Sequence, residues 1–261
     1  MKDLASVDRK IEWADRLIEN LGAEIQAFLE DNSYKIVPRP KPGEPEKIQY
    51  LFLDPKPLPI EISLRVGDVA HNLRTALDHL ACLGVVRGNG NVSDDTAFPV
   101  WRKNRTPTGS EYKGPVRGKV NGASQDVIDL LKGLEPYFGG ADQPLRVVDY
   151  LDIVDKHREL VVAFFRGGVF IRPFGGMREE LGIPDTFGVE IFAKGPEGTP
   201  AQSLKHGDVI YETSKDHTDH LPTVAVALGE PWVIQGEAVI KALTQLALFV
   251  KGTIDKFRPL L

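Results

Sequence analysis

Between Pro59 and Pro99 the chain runs without a proline, and Val66, Val69, Leu73, Ala76, Leu77 and Leu80 recur there at three- and four-residue steps. That spacing is one face of an α-helix. A proline in the first turn is tolerated, because its missing N–H would have no intrahelical acceptor there. The pattern predicts a long helix from Ile60 to about Val86, closed by Gly88-Asn89-Gly90-Asn91.

The other face of this helix is unusual. At ~100° per residue, Asp68, Asn72, Thr75 and His79 fall within a band of roughly 60°, and His71, Asp78 and Arg74 continue it on one side. A merely solvated face is usually built from Lys, Glu, Gln and Arg, which are good helix formers. Short polar residues of poorer propensity stand here instead. Two explanations are open. One is a buried hydrogen-bond network, since polar groups held away from water need partners; Arg74 and Asp78 already form an i,i+4 ion pair. The other is a binding or catalytic site.

Around this helix the chain reads as α+β. Ile11, Ala14, Leu17, Leu21, Ile25 and Phe28 predict a first helix over Ser6–Glu30. Pro38, Pro40, Pro42 and Pro45 forbid helix in residues 32–59, where 34–37 and 48–53 read as two strands of a hairpin turning at Gly43, with the prolines suited to an edge. Residues 87–122 read as irregular, Ser124–Leu134 as a short helix and 143–165 as another. Strands are expected at 167–171, 187–192, 208–212 and 223–228, and a last helix at about Gln235–Phe257, stopped by Pro259. The expected architecture is one integrated domain. A helical core comes from the first 166 residues and the last helix, and a β-rich layer from residues 167–233.

Composition narrows the functional classes. The 261 residues carry a formal net charge of −5, so nucleic-acid contact requires a local basic patch rather than a basic surface. One such patch is Arg102, Lys103, Arg105, Lys113, Arg117 and Lys119, with Trp101 and Tyr112 among them and only Glu111 against them. Cations of this kind attract phosphates and aromatic rings stack on bases; an ordinary basic loop is the alternative. The single cysteine, Cys82, excludes an intramolecular disulfide and suits a reducing, cytoplasmic setting. No apolar run approaches the ~20 residues that span a bilayer, and residues 1–5 carry no signal-peptide core.

A second polar constellation is Asp155-Lys156-His157-Arg158-Glu159. On a helix over 143–165, His157 lies one turn from both Ile153 and Val161, so it is expected to face inward and to meet the polar stripe. Asp216-His217-Thr218-Asp219-His220 offers metal-ligand side chains, but so local a cluster before Pro222 reads as a solvated turn. Gly114–Val120 is one residue too short for a phosphate-binding loop and lacks the following Ser or Thr. No cofactor fingerprint is present, and none is expected.

The run Gly67–Ala81, followed by Phe98-Pro99-Val100, Glu135-Pro136-Tyr137 and Asp155–Arg158, resembles a signature of a group of uncharacterised bacterial proteins, which implies no particular activity. Arg74, four intervening residues and His79 also resemble the Arg–His motif of HEPN-type helical ribonucleases. That resemblance implies metal-independent RNA cleavage. Arg74 would grip the scissile phosphate, and His79 would move a proton while the ribose 2′-hydroxyl attacks. Asp78, Asn72 and His157 would support them, in a site completed by a homodimer. The chain departs from the family in its β-rich second half, and a helix sets Arg74 and His79 ~140° apart. The alternatives are a non-catalytic binding or assembly protein with a structural polar stripe, and a metal-dependent hydrolase using His71, His79, His157 and Asp68.

Overall fold

The structure, a computed structural model, describes residues 3–103, 105–107, 111, 113–157, 163–171, 189–192, 203–215 and 220–261. The α+β expectation holds: six α-helices and two three-stranded sheets make up the regular structure of the described residues. The chain divides into two compact units, one of residues 1–22, 60–161 and 240–261, the other of residues 23–59 and 162–239.

The first unit is helical. It contains the start of α1 (Leu4–Glu30), all of α2 (Ile60–Arg87), α3 (Lys113–Lys119), α4 (Gln125–Gly133) and α5 (Gln143–His157), and nearly all of α6 (Val239–Phe257). The apolar arc of α2 is buried as its spacing demands, with Val66, Val69, Leu73, Ala76 and Leu77 at 0% exposure. From α5, Leu145, Val148 and Leu151 join that core, and from α6, Leu243 and Val250. Each of the valines and leucines contributes about 1.5–3 kcal/mol on leaving water. The first and last helices are tied by Lys251 to Asp15 at 2.7 Å and by Arg258 to Asp8 at 2.5 Å. Ser124 caps α4, its hydroxyl accepting from the Val127 N–H.

The second unit is mainly β. Strands β1 (Lys35–Lys41) and β2 (Glu44–Leu53) form the expected hairpin around Gly43, which sits at φ +81°. Strand β1 is an edge of the order β1-β2-β5, with β5 at Val209–Ser214. Pro38 and Pro40 alternate along that edge, so their missing N–H groups take nothing from the ladder when turned outward. The other sheet has the order β4-β3-β6, from Val189–Phe192, Ala163–Ile171 and His220–Leu228. Phe52, Phe165, Ile210 and Val224 form the buried cluster of this unit, with Phe28, Tyr34 and Leu204 packed on it. Gly167 is required there: a Cβ would stand 2.9 Å from Ile210 Cγ2.

Three boundaries differ from expectation. The helix expected over 143–165 ends at His157, and Ala163-Phe164-Phe165 opens β3 instead. As the middle strand of its sheet, β3 carries a continuous apolar run, which periodicity cannot separate from a buried helix. The hairpin expected in residues 32–59 is present, and beyond that expectation its second strand pairs with β5. Residues 113–119, expected to be irregular, form α3. The last helix starts at Val239 rather than Gln235, since Gly236 (φ +85°) donates its N–H back to Leu228 O at 2.7 Å and holds a turn. Residues 187 and 188 of an expected strand lie outside the described residues.

The end of α2 is set by a close approach of two backbones. Gly122 stands at φ +89°, and a Cβ on it would lie 2.5 Å from Gly90 Cα. Gly122→Ala is expected to lower stability by about 1–3 kcal/mol, measured as the denaturant midpoint at unchanged m value.

Candidate functional site

The polar groups of α2 are divided between two neighbours. On the side facing α5, Arg74 is buried, with 4% of its surface exposed. Its Nη2 donates to Asp78 Oδ1 at 2.8 Å and to Phe98 O at 2.9 Å, and Asp78 Oδ1 also accepts the Phe98 N–H at 2.8 Å. One turn of side-chain chemistry thus fastens the Phe98-Pro99-Val100 segment to the helix.

The centre of this network is a residue the sequence reading passed over. Asp149 on α5 is wholly buried, at 0% exposure. Its two oxygens accept from Arg102 Nη2 at 2.8 Å and Arg102 Nε at 3.0 Å, a bidentate fork. Arg74 Nη1 lies 3.4 Å from Oδ1, and Arg146 Nη1 lies 3.5 Å from Oδ2. Hydrogen bonding to Asp149 holds the Arg102 guanidinium above its ordinary pKa. Arg146 is covered by aromatic faces, 4.7 Å from the Phe138 centroid and 5.5 Å from that of Tyr150. Asp152, one turn along, takes His71 Nδ1 at 2.9 Å and Lys156 Nζ at 2.8 Å. A signal for both acids existed: on α5 they share an arc of about 100° with Leu145 and Val148.

His157 is a correction. It is the last residue of α5 and is exposed, so it does not meet the stripe. Its inward assignment rested on Val161 continuing the same helix, and Val161 lies outside the described residues. From α5 it is Asp149 and Asp152, not His157, that meet Arg74 and His71 of the stripe. Residues 158 and 159 lie outside the described residues.

On the side facing α1, Asn72 and His79 line a groove of about 580 Å³ together with Ser6, Arg9, Lys10, Glu12, Trp13 and Arg16. Asn72 is 7% exposed; its Oδ1 accepts from Lys10 Nζ at 3.0 Å and its Nδ2 donates to Asp68 O at 2.8 Å. Trp13 leaves 51% of its surface to solvent. Residues 6, 9, 13 and 16 repeat at helical steps, so one face of α1 presents two guanidiniums around an indole. Arg74 does not line this groove. Within one chain, Arg74 and His79 therefore open onto different hollows and are not brought together.

The remaining candidates are spread out. Asp68 is exposed and Thr75 half-buried. Cys82 is a buried thiol. In the basic segment, Arg105 pairs with Glu111 at 2.5 Å and donates to Thr106 O at 3.2 Å. Lys103 and Arg105 lie over the Trp101 ring, 5.1 and 5.4 Å from its centroid. Trp101 is buried beneath them, donating its indole N–H to Arg105 O at 2.8 Å, so its face is not open to a base. Arg117 donates to Gln125 Oε1 at 3.3 Å and Lys119 to Asp95 O at 3.4 Å. Lys113 opens α3, and its side chain, like residue 112, lies outside what is described. Residues 216–219 also lie outside it, while His220 bonds Tyr211 Oη at 2.5 Å. Among the described residues no group of three or more His, Cys, Asp or Glu side chains is placed to hold a metal ion. No helix described is long and apolar enough to cross a membrane.

An acidic group flanks the network. Burial first, then the charges of Asp68 and Asp152, push the Asp155 carboxyl above its usual range, with His71 and Lys156 pulling the other way. It is held close because Gly67 leaves no Cβ; one there would stand 2.0 Å from Asp155 Oδ1. A carboxyl raised on folding binds its proton more tightly in the folded chain, so its contribution is full at low pH and lost as pH rises through the raised value. Asp155→Asn is expected to raise the melting temperature at pH 7, with the gain shrinking as pH falls below the carboxylate range. A pH-independent difference would refute that. Asp149→Ala leaves three guanidiniums around an empty position, and a loss of about 3–5 kcal/mol is expected in chemical denaturation.

The chain matches no family model, no curated protein and no solved structure.

Proposed function

We propose that this protein is a binding module for single-stranded nucleic acid, which it holds in the groove between α1 and α2, and that the Asp149 network is its scaffold. The observation that carries the reading is the half-exposed Trp13 set among Arg9, Lys10 and Arg16 in a groove of about 580 Å³. Cations that track phosphates, alternating with an aromatic face that stacks a base, are the means by which strands are held without sequence readout. The groove volume lies within the range of about 300–1,000 Å³ usual for ligand sites. A local patch of this kind reconciles strand binding with a chain whose net charge is −5.

The Arg74–His79 ribonuclease reading gains less. Arg74 is engaged by Asp78, Phe98 and Asp149, and using it on a phosphate would mean breaking a buried ion pair. One observation favours a catalytic variant of the present proposal: His79 lines the same groove as Arg9, Lys10 and Arg16. In that variant His79 moves the proton and the α1 cations stand in for Arg74.

Fluorescence anisotropy with a labelled oligouridylate tests the binding reading. Trp13→Ala is expected to weaken binding by about 1–3 kcal/mol, and Arg16→Ala to make the salt dependence shallower by about 0.7 in the log–log slope. Binding unchanged in Trp13→Ala, or absent from the wild type at low salt, overturns it. For the catalytic variant, His79→Ala is expected to abolish cleavage of the oligonucleotide while keeping its affinity; cleavage that persists rejects it.

A further inference from the structure

The groove between α1 and α2 carries one acid among its cations. Glu12 lines it beside Arg9, Lys10, Trp13 and Arg16. It stands three residues after Arg9 and four before Arg16, and both spacings bring helical side chains within ion-pair reach. A glutamate four residues ahead of a cation is the favoured orientation of such a pair. Neither pair forms. Arg9 lies 3.8 Å from Asp3, and Glu12 and Arg16 make no hydrogen bond or ion pair among the described residues. The Glu12 carboxylate is exposed to solvent.

A carboxylate is out of place in a groove that grips phosphates by charge alone, because like charges repel. It is in place where a base edge is read. An ionised carboxylate offers two acceptor oxygens and no donor. Guanine sets two donors side by side on its Watson–Crick edge, N1–H and the 2-amino group, and one carboxylate meets both. Adenine and cytosine place a ring-nitrogen acceptor beside a single amino donor, and uracil flanks N3–H with two carbonyl oxygens. Each of those acceptors repels a carboxylate oxygen. In a single strand this edge is open to a protein. Trp13 supplies the other half of the site. Its indole makes no ring contact or hydrogen bond among the described residues, and it is half exposed. At ~100° per residue, Glu12 and Trp13 stand on opposite sides of the line through Arg9 and Arg16. They do not meet each other, and a base stacked on the indole over that line turns an edge toward the carboxylate. A two-ring purine covers more of an indole than a pyrimidine does, and stacking strength is a recognised source of base preference.

We infer that the groove selects guanine: Trp13 stacks the base, Glu12 accepts from N1–H and the 2-amino group, and Arg16 takes an adjoining phosphate. The inference rests on the strand-binding reading proposed above and names the base which that site prefers.

Anisotropy titrations of the whole chain with three labelled oligouridylates, carrying one central guanosine, inosine or adenosine, test it. The wild type is expected to bind the guanosine probe about tenfold more tightly than the adenosine probe, the worth of one charge-assisted hydrogen bond. Inosine keeps N1–H and lacks the 2-amino group, and is expected to fall between them. Glu12 is exposed on a helix and alanine is the best helix former, so Glu12→Ala keeps the fold. That variant is expected to bind the guanosine probe about tenfold more weakly and the adenosine probe more tightly, since a charge that repels phosphate is gone. Equal binding of the guanosine and adenosine probes by the wild type overturns the guanine inference and leaves strand binding standing. A shift of both probes by the same factor in Glu12→Ala also overturns it, as the mark of a general charge effect. Absence of binding to every probe overturns both readings together.

Discussion

A carboxylate with no solvent contact holds the helical unit in register. Taking Asp149 out of water costs several kcal/mol, and the cost is offset only where good geometry satisfies its oxygens. Here the fork of Arg102 does so directly, with the guanidiniums of Arg74 and Arg146 beside it. The consequence spreads outward. Arg74, fixed by Asp149 and Asp78, holds Phe98 O, and Asp78 holds the Phe98 N–H. An irregular segment thereby acquires a defined place on two helices that apolar packing alone would leave free to slide.

This anchoring divides the work along α2. A single polar stripe meets two different neighbours because its members span more than one helix-packing sector. His71, Arg74 and Asp78 turn toward α5 and are absorbed in ion pairs. Asn72 and His79 turn toward α1 and line an open groove whose other wall is cationic and aromatic. The two explanations first offered for the stripe, network and site, thus describe different sectors of the same helix. In the β unit the buried cluster is apolar, and the ion pairs of Lys41, Glu44, Lys47 and Glu212 lie outside it. Its cluster of Phe52, Phe165, Ile210 and Val224 depends on ring packing, with Phe52 and Phe165 centroids 5.3 Å apart.

Periodicity and punctuation determined much of this protein before any coordinates. The 3.6-residue recurrence of apolar side chains located α1, α2, α4 and α6 to within a few residues, since helix burial follows local spacing. The prolines of residues 38–45 confined that segment to an edge hairpin, because each removes a backbone donor. Where the local pattern was ambiguous the boundary slipped, as at Phe164-Phe165, where an apolar run fits a central strand as well as a helix.

Tertiary structure alone decided the site. Nothing in the sequence says that Asp149, some seventy-five positions from Arg74, receives three guanidiniums, nor that His157 ends its helix in solvent. Partner choice depends on which helix faces which and at what rotation, and those are properties of the assembled core. The polar stripe was legible as an anomaly of α2 because propensity is local. The two separate environments it serves were not, because burial and counter-charge come from residues distant in the chain.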